Sequence, residues 1–174
     1  MLRIINTRIL RQTSGFIWIL AAGLAHAQQG SEPASIIEMA LHHGHAVEGF
    51  VYGVPVVAVP LANRPCPSVG IVFQEKRRHR EAQRIDSYAA CPGEEAELMR
   101  DTPPGLPEDA QFHQLVQMTI RSALRYGVHR RELYDYRVDA RRLSAADPYG
   151  CAQLETIVST LGQLASYNVG RVCP

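Results

Sequence analysis

The chain has 174 residues, with 18 lysines and arginines against 17 aspartates and glutamates, seven histidines and four cysteines. That length suits one domain, and 46% hydrophobic with 20% charged residues argues against a disordered chain. The near-neutral balance excludes a strongly basic nucleic-acid binder, and 13 glycines with 11 prolines are too few for a collagenous or low-complexity chain.

Residues 1–27 read as a secretory signal peptide. Arg3, Arg8 and Arg11 make a positive start, with no acidic residue before Glu32. The apolar run Phe16 to Leu24 is shorter than the roughly 20 residues a bilayer-spanning helix needs. Ala25-His26-Ala27 then supplies the small-x-small pattern of a signal-peptidase site. Cleavage after Ala27 leaves 15 basic against 17 acidic residues and no further apolar run of spanning length. We therefore expect a periplasmic or secreted protein, with residues 28–174 forming a single α+β domain whose first residues, 28–34, are flexible.

Residues Ser35 to His43 suit a short helix closed by Gly44. Val47 to Leu61 is apolar and β-branched but interrupted by Gly53, Pro55 and Pro60. That pattern predicts an edge strand or two short strands, because proline cannot donate to a ladder.

The four cysteines, Cys66, Cys91, Cys151 and Cys173, all follow the proposed cleavage site. An even count in an exported chain predicts two disulfides. Between Cys66 and Cys91, two arms flank a polar stretch centred on Arg78-His79; between Cys151 and Cys173, two arms flank Leu161-Gly162-Gln163. Both segments read as β-hairpins whose open ends set two cysteines opposite each other, at the Cα spacing of about 4.5–5.5 Å that a disulfide accepts. The expected pairing is Cys66–Cys91 and Cys151–Cys173, each closing a loop of roughly 25 residues and contributing about 3 kcal/mol. A zinc site would want closely spaced pairs such as C-x-x-C, and the chain has none.

Cys91 to Leu106 is loop-like, with a helical turn expected within Glu94 to Arg100. Pro107 to Tyr126 is the clearest helix: Phe112, Leu115, Val116, Ile120, Ala123 and Leu124 form one stripe, and Gly127 closes it. Leu133 to Leu143 alternates as one strand, with Tyr134, Tyr136, Val138 and Ala140 on one side and Asp135, Arg137, Asp139 and Arg141 on an outer, solvent-facing side. Asp147-Pro148-Tyr149-Gly150 turns the chain into the last hairpin. The expected fold is α+β: an antiparallel β-sheet with one main amphipathic helix packed on a face and two disulfide-clamped β-hairpins.

Residues that could carry function are few. Lys76-Arg77-Arg78-His79-Arg80 would form a basic hairpin tip able to dock another envelope protein or an acidic envelope component. No aromatic residue interleaves this run, which weighs against nucleic acid. His42, His43, His45 and Glu48 could converge on Zn²⁺ or Cu²⁺. His113 and His129 are single histidines with no Ser or Asp tied to them by any pattern. Glu94, Glu95 and Glu97 lack an identifiable partner carboxylate, and no G-x-S-x-G occurs, so no catalytic residue is assigned. The reading is a non-catalytic binding or structural accessory protein of the envelope. A periplasmic metal-binding protein is the alternative, and a small secreted hydrolase ranks third.

Overall fold

The computed structural model describes residues 32–61, 66–77, 80–100 and 105–174, with 75–77 and 80–83 described in their backbone alone. The expected signal peptide lies outside the described residues. Helix α1 (Pro33–His43) opens the described chain and ends at Gly44, whose φ of 68° is the left-handed conformation a glycine cap allows. Pro33 and Ala34 therefore belong to the first turn of α1 rather than to a flexible lead; proline is pre-organised for that position.

Strands β1 (Val47–Val51), β2 (Val54–Leu61), β3 (Ser68–Arg77), β4 (Arg80–Ala89) and β5 (Glu97–Leu98) form one antiparallel sheet in that order. Helix α2 (Ala110–Tyr126) precedes a second antiparallel sheet, β6 (Val128–Leu133), β7 (Tyr136–Arg142), β8 (Ala152–Thr160) and β9 (Gln163–Val172), again in chain order. The α+β fold with one main helix is as the sequence predicts, but the strands divide into two sheets. Both expected disulfides are present, with Cα–Cα separations of 4.6 Å for Cys66–Cys91 and 4.1 Å for Cys151–Cys173.

The layers run α1, first sheet, second sheet, α2. Ile36, Ile37 and Ala40 of α1 pack on Val56, Ala58, Val69, Ile71 and Phe73. Val57, Val59, Leu61 and Val72, on the opposite face of the same sheet, pack against Leu164 of β9. Strands β2 and β3 are thus buried on both faces, which is why they read as near-continuous apolar runs rather than as alternation. On the far side, Phe112 and Leu115 of α2 meet Tyr136, Val138 and Val158, with the Phe112 and Tyr136 rings edge-on at 5.3 Å. The Asp109 side chain caps α2 by accepting from the Phe112 N–H at 2.7 Å.

The Val47 to Leu61 run forms two short strands, one of the two arrangements expected, with β1 at the sheet edge and β2 interior; the prolines of β2 fit because of where the ladders end. Pairing with β3 starts at Val56, beyond Pro55, and pairing with β1 stops at Ala58, before Pro60. Each proline therefore has a neighbour on one side only, and their odd spacing turns the two missing donors to opposite sides. Glu97–Leu98 is a two-residue edge strand rather than part of a helical turn. Strand β7 begins at Tyr136, because Tyr134, at φ 55°, turns the chain out of β6, a strand the sequence reading did not anticipate. The face bearing Arg137, Asp139 and Arg141 is turned toward the first sheet, not away from the molecule.

Candidate functional site

Two features stand out: a basic hairpin arm and a charged trough between the sheets. The arm comes from register. Strand β3 pairs with β2 only from Ser68 to Phe73, and β4 pairs with β5 only at Tyr88 and Ala89. Pairing between β3 and β4 continues past those limits, from Gln74↔Gln83 to Arg77↔Arg80. Among the described residues the last four pairs therefore have no strand beside them, a reach of about 13 Å at roughly 3.3 Å per residue. Lys76, Arg77 and Arg80 stand at its closed end; Arg78 and His79 lie outside the described residues.

The other hairpin goes the opposite way. Its tip, Leu161-Gly162, is a two-residue turn with φ values of 49° and 80°, the positive pair of a type I′ turn. It docks on the first sheet. Ser68 Oγ donates to the Gly162 carbonyl, and the Leu164 N–H donates to Ser87 Oγ at 3.1 Å. A Cβ at Gly70 would lie 2.4 Å from Leu164 Cβ, so only glycine admits this approach.

Beyond this contact the sheets part and a trough opens. Its first part, about 220 Å³, is bounded by Pro60 and Leu61 on one side and by Arg130, Arg137, Asp139 and Arg141 on the other. Its second part, about 400 Å³, shares Arg141 and Glu155 with the first and runs past Tyr167 to Gln74 at the base of the arm. At its centre is Glu155, with a side chain only 5% exposed. Arg141 Nη2 lies 3.0 Å from one of its carboxylate oxygens, and the Tyr167 hydroxyl donates to the other at 3.2 Å. These partners offset the cost of removing a carboxylate from water. Burial, with the Glu155 carboxylate next, pushes the Tyr167 hydroxyl well above its ordinary value of 10.0. Arg130 Nε and Arg137 Nε bond the two oxygens of Asp139, the latter at 2.8 Å.

The histidine group is exposed at the end of α1. The rings of His42 and His43 stand 5.3 Å apart, and those of His43 and His45 stand 5.4 Å apart. His45 Nδ1 is 3.0 Å from the Ala46 carbonyl, and its side chain borders the trough. Glu48 borders the second part of the trough, away from His42 and His43. Among the described residues no group of three or more His, Cys, Asp or Glu side chains is arranged to hold a metal ion. His113 bonds the Asp109 carbonyl at 2.9 Å, and His129 lies 3.2 Å from Arg131 Nε. Glu94, Glu95 and Glu97 are exposed.

Sequence reasoning missed the trough. The alternation at Arg137, Asp139 and Arg141 was its one visible signal, and a charged strand face in isolation reads as solvated. Among the described residues no helix is long and apolar enough to cross a membrane. Comparison of the chain with protein-family models, with curated proteins and with solved structures finds no match in any of the three.

Proposed function

We propose that this is an exported, non-catalytic binding protein of the cell envelope that docks the acidic surface of another envelope protein through its β3–β4 arm. The carrying observation is the register that extends the arm past its sheet and sets Lys76, Arg77 and Arg80 at the closed end. A clamp at the base supports this reading. The Cys66–Cys91 bond lies just outside the Ser68↔Ala89 pair, so the arm leaves a covalently closed frame and loses less freedom on docking. The export part rests on the leader-like run ending in Ala25-His26-Ala27, and two disulfides are compatible with an oxidising compartment.

The test is capture from an envelope extract by the wild type and by an Arg77→Glu, Arg80→Glu variant. The expected result is a partner retained at low salt, released as salt rises, and lost with the variant while its thermal midpoint holds. Equal capture by both proteins overturns the arm. Mass spectrometry of the recovered protein tests export: the expected species starts at Gln28 and is lighter than its reduced form by the hydrogens of two disulfides.

A further inference from the structure

The trough raises a question the arm does not answer. At the docked β8–β9 tip the two sheets pack through apolar side chains, with Leu164 seated among Val57, Val59, Leu61 and Val72. Over β6 and β7 the same interlayer space is lined instead by three arginines and two carboxylates. We propose that this end of the trough is a binding site for a small anion of the carboxylate or phosphate class.

Three observations carry the proposal. The first is charge: Arg130, Arg137 and Arg141 face Asp139 and Glu155 around one cavity, a surplus of one positive charge before His45 at its border is counted. Apolar walls at Pro60, Leu61 and Ile157 lower the local dielectric, which strengthens attraction for an entering anion. The second is pre-organisation. Arg130 and Arg137 are both held by Nε on the two oxygens of Asp139, and Arg141 is held by Glu155. A side-on Nε bond leaves the terminal nitrogens of Arg130 for a ligand, and a guanidinium fork matches planar oxyanions through paired donors. Fixing these side chains in advance removes much of the ordering cost of binding. The third is size: about 220 Å³ admits a ligand of a few heavy atoms and excludes a folded partner. The site lies between the sheets at β6 and β7, away from the closed end of the arm, and is independent of the arm's role.

The test is calorimetric titration of the oxidised protein, in chloride buffer, with inorganic phosphate and separately with acetate. Saturable binding of phosphate alone assigns the phosphate class; binding of acetate, alone or with phosphate, assigns the carboxylate class. Arg130→Gln should weaken binding about tenfold or more without moving the thermal midpoint, since its side chain is 56% exposed. Perturbation of arginine Nε–H resonances should be confined to Arg130, Arg137 and Arg141. Reversing charge on the arm should leave the affinity unchanged. No saturation by either anion up to about 10 mM, or wild-type affinity in Arg130→Gln, overturns the site.

Discussion

The two disulfide-closed hairpins use one device for opposite ends. Their cysteines are separated by 25 and 22 residues, and both bonds sit just beyond the last paired residues. Yet the β8–β9 tip folds back onto the first sheet and inserts Leu164, fully buried, while the β3–β4 ladder runs on to Arg77↔Arg80, past the strands beside it. The difference lies in what each hairpin carries near its turn. Leu164, just past the Leu161-Gly162 turn, offers apolar surface that is stabilised by burial, whereas Lys76-Arg77-Arg78-His79-Arg80 would have to shed hydration to bury anything. The base of the docked hairpin is braced as well. The Asp147 carboxylate accepts from the Tyr149 and Cys151 N–H groups at 2.9 and 3.0 Å and from Arg171 at 2.6 Å. These bonds, that from Arg171 above all, hold its carboxyl below the ordinary value of 3.8. A clamp shapes a hairpin; the side chains near the turn decide whether it becomes core or surface.

Four sets of substitutions test why one hairpin docks and the other projects. Leu164→Ala should be the most damaging, at about 2–5 kcal/mol by denaturant unfolding, because it removes the buried apolar side chain that seats β9 among Val57, Val59, Leu61 and Val72. A loss below about 1 kcal/mol would mean the tip is not core. Replacing both cysteines of either disulfide with serine should cost about 3 kcal/mol, nearly equal for the two because the loops they close are nearly equal. A clear inequality would place part of the stabilisation in the folded state rather than in chain entropy.

Tyr167→Phe removes one hydrogen bond to Glu155 and should cost about 1 kcal/mol near neutral pH. Its sign with pH follows from the raised hydroxyl. The stabilisation is complete below the ordinary value of 10.0 and is lost as pH rises through the higher folded value. The wild type should therefore lose stability at alkaline pH more steeply than the phenylalanine variant; identical profiles would rule out this residue as the cause. Smallest of all, Lys76→Ala with Arg77→Ala should shift stability by no more than about 0.5 kcal/mol, since the arm has no strand beside it there. A larger loss would show that the arm is packed.

Much of the fold was legible because its signals are local. The stripe from Phe112 to Leu124 and the glycines closing both helices were readable within a few residues, as were the cysteine pairs at the hairpin bases. Strand β6 was not: Val128-His129-Arg130-Arg131-Glu132-Leu133 has little apolar alternation, and it is a strand because β7 offers a ladder. The trough was invisible for a related reason. Arg137, Asp139 and Arg141 were placed on one strand face correctly, but no local signal says whether a second layer lies over that face.

The covalent frame, the alternation within strands and the apolar stripe of α2 are local properties of the chain, since each depends on residues a few positions apart or on cysteine chemistry. Which faces meet depends on contacts between segments far apart in the chain. Leu164 and Tyr167 are three residues apart and would alternate to opposite faces of β9. A bulge that skips Ala165 between the Val158↔Ser166 and Ser159↔Leu164 pairs turns both toward the first sheet. One unpaired residue thus sets Leu164 into the core and carries Tyr167 to Glu155. Its placement depends on the partner strand and the opposing sheet, which lie far away in the chain.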